Sequence, residues 1–186
     1  MSHPVTHDEG IYYRRRDYAG FWRRLFVSTV DAMVALAGLL GLMLIGNTMM
    51  PGNGTALAFV IWLILFYWYF VIAKRSRART LGYRLGRVKI VGIQGDSPTT
   101  ARLTFRLVFA MIGAYSTGWG VFDLLWITGD DHRQALRDKL AHTYVVKASA
   151  TPAGRGPVVY DLHHVLAWTL LLPEVRRAEN NELPVA

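Results

Sequence analysis

Two long apolar runs dominate the first half of the chain. The first runs from Leu25 to Gly46 and holds a single ionisable residue, Asp31; the second runs from Thr55 to Ala73. Each is close to the ~20 residues a helix needs to cross the hydrocarbon core of a bilayer. The pattern therefore predicts two transmembrane helices, over about 25–46 and 55–73. The segment between them, Asn47 to Ala56, carries no charge and contains Pro51, Gly52 and Gly54, which reads as a tight turn. A third run, Leu107 to Thr128, is long enough to span but is interrupted by Tyr115-Ser-Thr-Gly-Trp-Gly120 and contains Asp123. Basic residues flank it on both sides, which fits a re-entrant or in-plane broken helix; a third full span is the alternative. The fold class expected is an all-α membrane protein.

Inside the first run the polar positions share a face. Arg24 and Asp31 are seven residues apart, two helical turns and roughly 10 Å along the axis. Ser28, Ala35 and Gly38 fall on the same side, a small-residue stripe that lets another helix approach. Phe26, Met33, Leu36 and Leu40 then face lipid. An aspartate in a span costs about 2.5–3.5 kcal/mol, so Asp31 is expected in a helix–helix contact with a partner. At that separation Arg24 does not reach it directly, and a water or a third group is expected to bridge.

The remaining pattern is weaker. Residues 1–18 are polar and predict a cytoplasmic tail with a mobile tip. The aromatic series Phe66 to Phe70 reads as an interfacial belt, with a ligand-stacking surface as the alternative. The stretch Gly86 to Pro98 predicts a small two-stranded excursion at the membrane surface. Asp130 to Val146 predicts a helical turn or two running into a β-like end. Residues 148–186 read as a linker, a surface-lying helix over Val158 to Leu172 with Asp161, His163 and His164 on its polar side, and a disordered tail.

Composition sharpens the class. The chain is 52% hydrophobic with mean hydropathy +0.22, and the apolar residues are clumped rather than dispersed through a soluble core. With no cysteine, disulfide and thiolate chemistry are excluded. The net charge of +8 sits beside the apolar runs, the pattern of cytoplasmic loops rather than of nucleic-acid binding. Five arginines precede the first run, none lies in the turn, and residues 74–106 hold nine Lys and Arg, so the N-terminus is expected in the cytoplasm. These cations are expected to meet anionic headgroups. No nucleophile–base set, paired carboxylates or metal cluster appears at useful spacing, which argues against an enzyme, a metal or a cofactor. Asp138 and His142 are four apart, but a metal would need further ligands.

The ordered motifs resemble those of the RDD family of small bacterial membrane proteins, named for one arginine and two aspartates. Its first span opens like Ala19-Gly20-Phe21-Trp22-Arg23-Arg24-Leu25 and carries an Asp seven residues after the arginine, here Asp31. Its middle loop is similar to Thr80-Leu-Gly82-Tyr83-Arg84-Leu-Gly86-Arg-Val88. Its closing motif resembles Arg133-Gln134-Ala-Leu-Arg137-Asp138-Lys139, followed by His142-Thr143-Tyr-Val145-Val146. The resemblance covers roughly 19–147 and implies Arg24, Asp31 and Asp138 as the named cluster; Asp123, Arg137 and Thr143 are candidate accessory positions beside it. Tyr83 stands where lysine is common. Arg137 stands where a histidine usually precedes the second aspartate; it is a fixed cation beside Asp138, expected to favour the ionised carboxylate.

The resemblance implies a location in the bacterial cytoplasmic membrane and transport of an unknown ligand, with sodium/proton exchange for some members. Two readings follow. In one, Asp31 takes up a proton or cation, and so thin a bundle implies a homo-oligomer. In the other, the cluster fixes the fold of a structural or assembly subunit with a membrane-protein partner.

Overall fold

The computed structural model describes residues 5–76, 78–115, 119–130, 132–165 and 168–176. It is mostly helical, with two helices long and apolar enough to cross a membrane. The first, α1 (Phe21–Met49), starts after extended Gly20 and packs antiparallel against α2 (Gly54–Tyr67), which continues through a π-helical segment, Trp68–Ala73. Small residues set that contact. A side chain at Gly46 would meet the Gly54 carbonyl oxygen at 2.4 Å, and the Trp62 indole N–H donates to the Ala35 carbonyl at 2.9 Å. The residues expected on the lipid side, Phe26, Met33, Leu36 and Leu40, are all exposed, whereas only Arg24, Val27 and Asp31 of α1 are buried.

After α2 come a short helix α3 (Leu81–Leu85), strand β2 (Val88–Gly92), helices α4 (Thr100–Tyr115) and α5 (Trp119–Gly129), a short helix α6 (Leu136–Leu140) and strand β3 (Thr143–Lys147). The break expected within the third apolar run falls between α4 and α5, at residues 116–118 outside the described set.

Strands correct the all-α expectation. Residues 88–92 do not fold on themselves as a local excursion; β2 pairs antiparallel with β3, Ile90 opposite Val145. The polar N-terminal segment is not a free tail. It contains β1 (Val5–Tyr12), the edge of a second sheet ordered β1-β4-β5. The segment expected as a surface-lying helix is instead the hairpin of β4 (Gly154–Val165) and β5 (Trp168–Val175), with Val158 opposite Val175. The side chains of Asp161, His163 and His164, the first four residues and residues 177–186 lie outside the described set.

Two apolar clusters hold the parts together. One joins Ile11, Tyr13 and Tyr18 to Ile93, Tyr144, Val146, Val158 and Val175, so the second sheet packs on the first. The other joins Val27 of α1 and Val71 to Tyr83, Val88, Leu103 and Val145, setting α3, β2, α4 and β3 under the base of the long helices. Ala19 N–H donates to the Val145 carbonyl at 2.9 Å, and Ile11 N–H to that of Ile93 at 2.8 Å, which ties the N-terminal segment into the platform.

Candidate functional site

The buried face of α1 aims two charges at different targets. Asp31, 1% exposed, turns to the chain that follows α2. Its Oδ2 accepts from the Thr80 hydroxyl at 2.8 Å; its Oδ1 accepts from the Gly82 N–H at 2.8 Å and from the Tyr69 hydroxyl at 2.9 Å. Lys74 Nζ lies 3.9 Å from Oδ2 and above the rings of Phe70 and Tyr83. The π-helical segment carries Tyr69 to the carboxylate, and the same phenol oxygen accepts the Leu81 N–H at 2.9 Å. Thr80 caps α3, accepting from Tyr83 N–H while donating to Asp31.

This geometry explains two glycines of the middle motif. A Cβ on Gly82 would lie 2.4 Å from the Val27 carbonyl oxygen and 2.7 Å from Asp31 Oδ1; one on Gly86 would lie 2.3 Å from Val27 Cγ2. Only residues without a side chain let α3 approach α1 so closely.

Arg24 does not bridge to Asp31. Its Nη1 donates to Asp138 Oδ2 in α6, its Nε to the Ala19 carbonyl at 2.9 Å, and its Nη2 to the Arg133 carbonyl at 2.6 Å. Arg106 from α4 reaches the other carboxylate oxygen at 2.7 Å and the Thr143 hydroxyl. Asp138 is fully buried between the two guanidinium groups. Burial pushes its carboxyl up, but Arg106, then Arg24 and Arg137, outweigh burial and hold it at about 2.

The named residues therefore form two stations on one helix face. Arg137 pairs with Asp123 rather than Asp138, its Nε at 3.3 Å and its backbone N–H at 3.0 Å. Its effect on Asp138 acts through the field, behind that of Arg106 and Arg24. Asp123 itself is buried and paired, not an interfacial group in water. Asp138 turns to arginines, not to His142, and among the described residues no cluster of metal-ligating side chains forms.

Sequence reasoning missed Arg106, which counted only toward loop charge, and Tyr69, which counted only toward the aromatic belt. It also missed the buried pair of Lys139 and Asp130 and the Gln134 amide, which donates to the Thr143 carbonyl at 3.0 Å. Lys139 and Gln134 stand in the closing motif, and that was the available signal.

The RDD family model matches residues 18–142. The chain belongs to the RDD family. No curated protein and no solved structure matches it. Arg24, Asp31 and Asp138, and the Thr80–Gly86 loop that receives Asp31, lie within the match, whereas β1, β4 and β5 lie outside it. Together with its two apolar helices, membership makes this an RDD membrane-type protein.

Proposed function

We propose that this chain is a non-catalytic structural or adaptor subunit of a membrane assembly, in which Arg24, Asp31 and Asp138 lock a cytoplasmic platform to the spans. One observation carries the reading. Both carboxylates are committed to groups of their own chain: Asp31 accepts three hydrogen bonds, and Asp138 lies between two arginines. A buried ion pair of this kind gives little net stability but leaves an expensive unpaired charge when one partner is lost, so it specifies a single arrangement. The platform's partner is a second membrane protein or a second copy of the chain.

The topology supports a re-entrant course for the third apolar segment in the cytoplasmic membrane. β2 and β3 are paired, which favours one side of the bilayer for both and a course between them that enters and returns. At 16 and 11 residues, α4 and α5 are each shorter than the ~20 a crossing helix needs. The pairing of β1 with β4 likewise supports one side for both, and the charge bias favours the cytoplasmic side.

A second reading, exchange of an ion or small solute, is favoured by a cavity of about 540 Å³ that touches Asp31 and Lys74. Accumulation and cation-driven proton flux in proteoliposomes separate the two. The structural reading expects Asp31→Leu to be lost from the membrane and the wild type to show no flux. Flux in the wild type that vanishes in a well-folded Asp31→Asn variant would overturn it.

A further inference from the structure

The cavity beside Asp31 has a polar end and an apolar end, and the three helices around it agree on which is which. On α1 it runs from Val27 to Leu39, about 18 Å along the axis. On α2 and its π-helical extension the sequence of lining residues is Lys74, Phe70, Phe66 and Trp62; on α4 Leu103 and Arg106 come first and Leu107, Ala110, Met111 and Ala114 follow. The charged residues Asp31, Lys74, Arg106 and Arg137 therefore gather at the platform end, and only apolar side chains follow toward the interior of the spans. This is the polarity of a lipid standing in one leaflet.

The charge at that end does not cancel. Arg24, Lys74, Arg106 and Arg137 face Asp31, Asp123 and Asp138, four cations against three carboxylates when Lys74 is protonated. Burial, opposed by Asp31 and reinforced by Arg106 and Arg137, lowers Lys74 to about 7, and an anion placed on it restores the charged form. Arg106 and Arg137 each make close carboxylate contacts of 3.3 Å or less. Among the described residues Lys74 has the 3.9 Å approach to Asp31 and two ring faces, so its ammonium, with three donors, retains capacity for an anion.

We propose that this groove binds one anionic phospholipid of the surrounding bilayer, its phosphate on Lys74 and one acyl chain between α1, α2 and α4. The site borders Asp31 and Arg106, leaves in place the hydrogen bonds that Thr80, Gly82 and Tyr69 make to Asp31, and requires neither transport nor a protein partner. Phosphatidylglycerol, with one net negative charge, matches the excess cation; the phosphate of phosphatidylcholine comes with its own ammonium.

The test is native mass spectrometry of the purified full chain, equilibrated with equimolar phosphatidylglycerol and phosphatidylcholine. The wild type is expected to retain one phosphatidylglycerol with a preference of about five- to tenfold. Lys74→Gln should bring the preference close to unity. Ala110→Trp, which fills the groove one helical turn beyond Arg106, should abolish retention of either lipid. Lys147→Gln, on the platform away from the groove, should leave retention unchanged. Should Lys74→Gln fail to fold, Ala110→Trp decides. Equal retention of both lipids by the wild type, or a preference that survives Ala110→Trp, would overturn the proposal. So would a dimer that Ala110→Trp dissociates, which would assign the groove to a second copy of the chain.

Discussion

Arg24 and Asp138 stand 114 residues apart in the chain and form one buried ion pair. The first turn of the first long helix is thereby joined to the last helix before β3, and everything between is closed into a loop by that contact. Arg24 also holds the carbonyls of Ala19 and Arg133, so its guanidinium gathers three separate segments.

Removing that guanidinium should leave Asp138 with one cation. Arg24→Gln is expected to lower unfolding stability by about 3–5 kcal/mol, the cost of stranding one member of a buried pair. Arg24→Lys should fall between, because an ammonium cannot span three acceptors in a planar fork. Thermal unfolding in detergent, scored against wild type, reads both.

The same pair sets an acid limit. The folded carboxyl of Asp138 at about 2 lies below the unfolded value of about 3.9. Its contribution, about 2–3 kcal/mol, is therefore complete above about pH 4 and is lost as pH falls through about 2. The melting temperature of wild type should drop over that window more steeply than that of Asp138→Asn, which starts lower and lacks this titration. Parallel curves for the two would show that Asp138 contributes no pH dependence.

Gly82 and Gly86 should fail for different reasons. Alanine at either position is expected to cost about 1–3 kcal/mol by overpacking. At Gly86 the obstacle is the Val27 side chain, so Val27→Ala should recover part of the loss in a double-mutant cycle. At Gly82 the obstacles are the Val27 carbonyl and the Asp31 carboxylate, and Val27→Ala should give no recovery.

Asp31 should tolerate an isostere better than an apolar residue. Asparagine keeps one acceptor for Gly82 and Tyr69, and the Thr80 hydroxyl can rotate to accept from the new amide. Leucine strands three donors, each at about 1–3 kcal/mol if it stays buried and unpaired. Membrane-fraction immunoblotting is expected to show near-normal accumulation of Asp31→Asn and loss of Asp31→Leu.

Local pattern was enough to mark the two long helices, the exposed apolar residues of α1 and the inward aim of Asp31, because each depends on spacing within one helix. It could not assign partners. Arg24 and Asp31 share a face, yet Arg24 pairs across the fold with α6 and Asp31 with the loop after α2; that choice depends on how α3 and α6 dock. The hairpin β4–β5 was misread because its apolar content suits a surface helix as well as a strand. Residues 158–165 pair with 168–175 inside the hairpin itself, and β1, from the other end of the described chain, pairs with the start of β4 at residues 154–159; only that second partner lies beyond a window around residues 158–172. The β-branched Val158, Val159 and Val165, following the glycines and proline of Gly154–Pro157, were the available local hint.

The pairing of β1 with β4 also sets an order of events during synthesis. β1 leaves the ribosome ahead of both long helices, and its partner strand follows only after they and the platform have been made, at about 5–20 residues per second. Until then Ile11, Tyr13 and Tyr18 lack Val158 and Val175, the residues that complete their cluster. Closure of this clasp is thus a late, post-insertion step, and a ribosome stalled before residue 154 would present an open strand edge to chaperones and proteases.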